Sequence, residues 1–247
     1  MIHAIHGETN ITLACQNNCV GCNHFVPVQK PWFIDSDALR VDLFMASRII
    51  HFERYNLVGG EPTLHQKILD LLNIVRDSDI SDTIEITSNG QGYKRWTKEF
   101  YFLIDELVIT PYKLSQDDLK EIERRCNDAN VIFSVHPVIF TAPAYKQNTD
   151  EGTAHNRYKQ CWYNANRHVI DGGYFYRCCT SPFIPNILMG LPKETDGIAL
   201  DGLTEERLQQ YLDQDETPKS CYRCASNNGP LLNWHENDEN WMDESLV

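Results

Sequence analysis

Apolar residues in the first 140 positions fall into short β-rich runs separated by stretches with helical spacing. Residues 11–14, 55–58, 83–87, 106–110 and 131–135 read as strands. The second closes on Gly59-Gly60, the third on Ser88-Asn89-Gly90 and the fourth on Pro111. Over residues 35–50, apolar side chains recur at Leu39, Leu43, Phe44 and Ala46, which predicts an amphipathic helix begun at Asp35 or Ser36. Helical spacing returns over 64–75, 96–104 and 116–126, the last with Ser115 placed as its N-cap. Strands that alternate with helices form βαβ units and hence a parallel sheet. About five or six such units fit before residue 140, fewer than a closed eight-fold barrel needs. An incomplete barrel or an open parallel sheet follows; the expected fold class is α/β, taken here as a partial (β/α)6 TIM-like barrel.

After Pro143 the rhythm changes. A polar stretch over 145–159 leads to Cys161, residues 168–170 and 174–177 flank Asp171-Gly172-Gly173 as in a β-hairpin, and 204–212 is helical in pattern. Residues 1–143 are expected to be the barrel. Residues 144–247 are expected to be a small C-terminal extension, a β-hairpin plus helix ending in an acidic tail.

Composition adds three constraints. With 42% hydrophobic and 23% charged residues the chain can bury an ordinary core, and no apolar run approaches the roughly 20 residues of a membrane span. The N-terminal residues lack a basic segment followed by an apolar one, so a cytoplasmic location is expected. Lys plus Arg number 22 against 35 Asp plus Glu, a net charge of −13 that disfavours anionic membrane and nucleic acid as partners.

Nine cysteines are many for such a chain, and eight of them lie in groups near the two ends, with Cys126 alone as a small core residue. In a reducing compartment clustered cysteines point to metal or redox chemistry. Cys15, Cys19 and Cys22 have the spacing C-x3-C-x2-C. Three thiolates on one tight loop can hold three irons of a cubane cluster and leave the fourth iron open. Zinc is the alternative, and would have to borrow His24 or a distant cysteine as a fourth ligand.

This loop, following a first strand, resembles the signature of the radical S-adenosylmethionine enzymes. Gly59, Gly60, Glu61 and Pro62 look like the family's GGEP motif, and Ser88-Asn89-Gly90 is similar to a segment that contacts the ribose or carboxylate. The resemblance implies a 4Fe–4S cluster on Cys15, Cys19 and Cys22 whose open iron binds S-adenosylmethionine. It implies that Gly59, Gly60, Glu61 and Pro62, with Ser88 and Asn89, hold that cofactor. One departure is Gly21, where the family often has an aromatic residue near the adenine; Phe25 is either a substitute or ordinary packing.

Cys161, Cys178, Cys179, Cys221 and Cys224 resemble the compact twitch extension of some members, a shortened relative of the SPASM extension. That likeness implies a second, auxiliary 4Fe–4S cluster on Cys161, Cys178, Cys221 and Cys224, with Cys179 either spare or the ligand in place of Cys178. A structural zinc site is the alternative for this group. A fully ligated auxiliary cluster implies an electron acceptor, and so oxidation of a substrate radical; rearrangement is the other outcome. Tyr112, His136 and Cys179 are the candidate catalytic residues, with Thr110, Arg157, Tyr158 and Arg167 as further substrate contacts. A chain this short favours a small-molecule substrate. A peptide comes second, and an amino-acid-modified base third. The expected reducing partner is a flavodoxin or ferredoxin.

Overall fold

The computed structural model describes residues 1–141, 149–224 and 231–236. Its first part runs β1 (Ile2–Thr12), α1 (Ser36–Ala46), β2 (Ile50–Gly59), α2 (Ile68–Ser78), β3 (Ser81–Ser88), α3 (Lys98–Phe102), β4 (Glu106–Ile109), α4 (Gln116–Asp128) and β5 (Ile132–Val135). β6 (Ile139–Thr141), α5 (Glu151–Gln160), α6 (Trp162–Asn166), β7 (Arg167–Asp171), β8 (Tyr174–Tyr176), α7 (Ile184–Met189), β9 (Gly197–Ala199), α8 (Glu205–Asp213) and β10 (Leu231–Asn233) follow. Among the described residues no helix is long and apolar enough to cross a membrane.

Eight strands form one sheet in the order β5-β4-β3-β2-β1-β7-β8-β9. β1 to β5 pair in parallel, β7 joins the other edge of β1 in parallel, and β8 and β9 add antiparallel. The fold is thus α/β with a mostly parallel sheet, and the C-terminal hairpin continues the sheet of the N-terminal strands. The boundary expected between residues 143 and 144 lies outside the described residues, as does all of the acidic tail beyond Glu236.

Alternation along the strands separates two faces. Tyr55 and Leu57, Ile84 and Ile86, and Leu107 and Ile109 are buried in the main core with Leu71, Leu72 and Val75 of α2 and Ile122 and Cys126 of α4. Alternating with them are polar residues such as Asn56, Glu85 and Glu106, in register across β2, β3 and β4, with Glu8 of β1 opposite Asn56. This second face explains why β1 begins at Ile2 rather than residue 11. His6, Glu8 and Asn10 are buried polar side chains, and a run containing them lacks the apolar signal of a strand.

Capping fixes the helix starts. Asp35 Oδ1 accepts the Asp37 and Ala38 amides at 2.9 and 3.3 Å, and Ser115 and Asp118 form a reciprocal capping box at α4. Helix α5 occupies the stretch read only as polar. Asp150 caps it, and its two buried residues, Ala154 and Tyr158, stand four apart on one face.

His168 of β7 is 5% exposed, its Nδ1 donates to the Arg177 carbonyl at 3.2 Å, and burial pulls its pKa from 6.5 to about 4. A folded pKa below the unfolded one means stability that is present above pH 6.5 and lost as pH falls through about 4. That shift corresponds to about 3 kcal/mol. Half-buried Asp171, pushed up to about 6 by desolvation, acts in the opposite sense between its two values, so the histidine is best read by difference. In urea unfolding at about pH 7 and about pH 4, wild type should lose about 3 kcal/mol more than His168→Phe. Parallel losses in the two proteins would contradict this.

Candidate active site

The first cysteine loop begins where β1 ends. Thr12 Oγ1 donates to the Trp32 carbonyl at 2.8 Å and accepts the Ala14 amide at 2.9 Å, turning the chain out of the sheet. Gly21, at φ 75°, and the Cys22 amide donating to the Cys19 carbonyl at 3.3 Å close the loop on itself. Each sulfur meets N–H donors. Cys15 Sγ accepts the Asn17 amide at 3.4 Å and Asn89 Nδ2 at 3.8 Å, and Cys19 Sγ accepts Trp234 Nε1 at 3.1 Å. Backbone amides of Val26, His24 and Phe25 face Cys22. As free thiols the first two are pushed up, Cys15 to about 11 and Cys19 to about 12, chiefly by burial.

The glycines of the second strand's end explain how this loop is held. The Gly60 and Glu61 amides donate to the Thr12 and Ala14 carbonyls, both at 2.8 Å. A Cβ on Gly60 would stand 2.3 Å from the Ala14 carbonyl oxygen. Gly59, at φ +136°, would meet that of Thr12 at 2.1 Å. Glu61 is fully buried and ties this turn to the next strand. Its carboxylate accepts from Thr63 Oγ1 (2.6 Å), the Thr63 amide (3.2 Å), Ser88 Oγ (2.8 Å) and the Asn89 amide (2.7 Å). Burial raises its pKa and these bonds oppose the rise. Asn89 Nδ2 then reaches Gln16 Oε1 at 3.0 Å, so the three motifs form one hydrogen-bonded unit. Glu61 acts here as the clamp of that unit.

A cavity of about 370 Å³ opens beside it, lined by Cys15, Cys19, Cys22, Gly59, Gly60, Ser88 and Asn89. The same cavity is lined by Cys161 at the end of α5, Cys178 and Cys179 after β8, and Cys221 and Cys224. The last two lie on and just after a 3-10 turn anchored by Asp196, which accepts the Lys219 and Ser220 amides at 2.7 Å. Cys178 is drawn down to about 7 by the adjacent Cys179 thiol and by Thr180. Donation of that bond, with burial, raises Cys179, which packs on Val169 and Tyr176. Phe25 belongs to packing that includes one cysteine of each group. It is buried against Phe183, with Cys22 and Cys224 beside it.

Thr110, Tyr112 and His136 line the same cavity. Burial pushes the Tyr112 phenol well above its ordinary value, so it is a hydrogen-bonding group rather than a base. Arg157 also lines it but donates to Thr149 Oγ1 and the Cys224 carbonyl, and Tyr158 is buried, bonded to Arg177 and the Gln214 carbonyl. Arg167 lies 3.3 Å from Glu8 and 3.2 Å from His6. Glu8, Asn56 and Thr87 also line the cavity, and no sequence motif singles them out. Asn56 Nδ2 donates to Thr87 and to Glu85, and Arg54 pairs with both Glu85 and Glu106. Their signal was present as polar residues at alternate positions of otherwise apolar strands. His6 within this network is driven to about 3, chiefly by burial and then by the charge of Arg167, and is neutral.

Both cysteine groups suit a metal cluster by their chemistry. The first offers three cysteines lining one cavity, their sulfurs already receiving N–H bonds that favour thiolate, with Gly59 and Gly60 lining the same cavity. Among the described residues no three Cys, His, Asp or Glu side chains converge at the spacing of a single ion, and His24 is bonded to Asn10 at 2.8 Å instead.

No protein-family model matches the chain. A curated protein, the GTP 3′,8-cyclase of Photorhabdus laumondii subsp. laumondii, is 25% identical over 112 residues, 44% of this chain. The match spans only a third of that relative (33%). The structure of BtrN in complex with AdoMet and 2-DOIA is similar at TM-score 0.53 and 13% identity, covering 87% of this chain and 85% of BtrN. anSMEcpe with bound AdoMet and a peptide gives 0.53 at 10% identity, over 90% and 84% of the two chains. Streptococcus suis SuiB bound to S-adenosylmethionine gives 0.50 at 14%, over 86% and 66%. At these identities the likeness is one of fold, shared with three structures that were solved with S-adenosylmethionine bound.

Proposed function

We propose that the chain is a radical S-adenosylmethionine enzyme of the twitch type, with a partial-barrel core and two 4Fe–4S clusters. The observation that carries this reading is that both cysteine groups line one cavity, beside a Gly59–Asn89 unit clamped by Glu61. Cys15, Cys19 and Cys22 would hold the first cluster. Cys161, Cys178, Cys221 and Cys224 would hold the second, Cys179 being the more deeply packed neighbour. Gly59, Gly60, Ser88 and Asn89 would border S-adenosylmethionine. The chemistry supplied at the loaded first site is one-electron cleavage of the C5′–S bond, giving methionine and a 5′-deoxyadenosyl radical that takes a hydrogen atom from substrate.

The chain's own residues would bind and orient that substrate. Glu8, Asn56, Thr87 and Arg167 offer acceptors and a guanidinium at the sheet, which suits a small polar molecule. His136 and Tyr112, which line the same cavity, would be further contacts. Net oxidation, with the second site as electron acceptor, is the favoured outcome, and the electron donor would be a protein of the flavodoxin or ferredoxin type. Protein purified without oxygen should be brown and hold about eight irons and eight sulfides per chain, two cubanes' worth. Iron and sulfide assays on the untagged chain test this; colourless protein containing only zinc would overturn it.

A further inference from the structure

The chain returns at β10 to cross the first cysteine loop. β10 pairs antiparallel with β6, and residues 234–236 then run along residues 18–20. The Val20 amide donates to the His235 carbonyl at 3.1 Å, and the Asn18 amide to Glu236 Oε1 at 3.0 Å. Lys113, in the segment after β4, fastens this strap by an ion pair of 2.7 Å to Glu236 Oε2. Trp234 lies inside it. Its ring is 5.2 Å from that of Tyr112, the Lys113 ammonium stands 5.8 Å from its centre, and its Nε1–H donates to Cys19 Sγ at 3.1 Å.

An indole N–H is a donor only, and here its acceptor is a sulfur of the first cysteine group. We propose that Trp234 is a positioning residue for the cluster on Cys15, Cys19 and Cys22, its N–H fixing the Cys19 thiolate and drawing charge from it. The inference rests on the reading of that group as a cluster site. Hydrogen bonds to the sulfurs of a cluster spread the charge that an added electron brings and so ease reduction. Without the N–H, more of the thiolate's charge stays on the iron, and the reduced state is disfavoured. Trp234→Phe keeps an aromatic ring beside Tyr112 and Lys113 and removes the donor.

The test is a potentiometric titration of the full chain with both sites loaded, followed by electron paramagnetic resonance. The first cluster's signal is identified by its change on adding S-adenosylmethionine. At a fixed potential the reduced-to-oxidised ratio should fall about tenfold in Trp234→Phe, a midpoint lower by about 59 mV for one electron. Trp234→His, which restores a ring N–H, should recover part of the shift. Unmodified protein carrying ¹⁵N-indole tryptophan should show a ¹⁵N coupling on the same signal, a measurement that needs no variant to fold. An unchanged midpoint, or no such coupling, overturns the inference alone. A wild type with no signal responding to S-adenosylmethionine overturns the cluster reading and the inference with it.

Discussion

Replacing Cys15, Cys19 and Cys22 together by Ala should remove about half of the iron, one cubane of two, and abolish reductive cleavage of S-adenosylmethionine. The three residues come from one loop, whereas Cys161, Cys178, Cys221 and Cys224 come from elements that follow α5, so the two sites should load independently. The changes are small in volume. The loop is held by Thr12 with Trp32 and by Gly60 and Glu61 with the Thr12 and Ala14 carbonyls, none of which involves the thiols. Iron content and 5′-deoxyadenosine formed under a chemical reductant are the measurements. Survival of cleavage in the triple variant would remove Cys15, Cys19 and Cys22 from the proposed role.

Glu61→Ala should unfold the clamp between the second and third strand ends. The change leaves the Asn89 amide, Ser88 Oγ and the Thr63 donors facing a void, each buried donor costing roughly 1–3 kcal/mol when unsatisfied. Because some of these groups can relax together, the expected loss is about 3–5 kcal/mol in urea unfolding, larger than for most single substitutions. Glu61→Gln keeps the shape but turns part of the carboxylate's edge into a donor facing donors, and should lose about 1–2 kcal/mol. On the proposed reading both variants also weaken S-adenosylmethionine binding by about tenfold or more, since each 1.4 kcal/mol of displaced geometry is tenfold. Equilibrium dialysis of the Gln variant separates the two effects. Full stability with full binding in Glu61→Ala would show that the clamp is dispensable.

Much of this site was legible in the chain itself, for definite reasons. Glycines at 59 and 60 are required by a φ of +136° and by an approach to the Ala14 carbonyl that admits no side chain, so the motif marks a backbone contact. Ser115 followed three residues later by Asp118 marked the start of α4 because the capping box is a local arrangement. The polar strands were not legible in the same way. β1 carries His6, Glu8 and Asn10 toward the cavity side, and local pattern gives no reason for buried polar groups until their partners Arg167, Asn56 and His24 are brought from distant segments.

The sequence by itself determined the alternation of strands and helices, the two cysteine groups and the Gly-rich and Ser-Asn-Gly turns, because spacing, capping and turn chemistry act over a few residues. Only the tertiary structure decided that β7 joins the far edge of β1 and that the second cysteine group lines the same cavity as the first. It also turned Glu61 into a clamp and set Trp234 against Cys19, 215 residues apart in the chain. Long-range pairing carries no local signature, since its free energy comes from surfaces and hydrogen bonds that exist only once the sheet has closed.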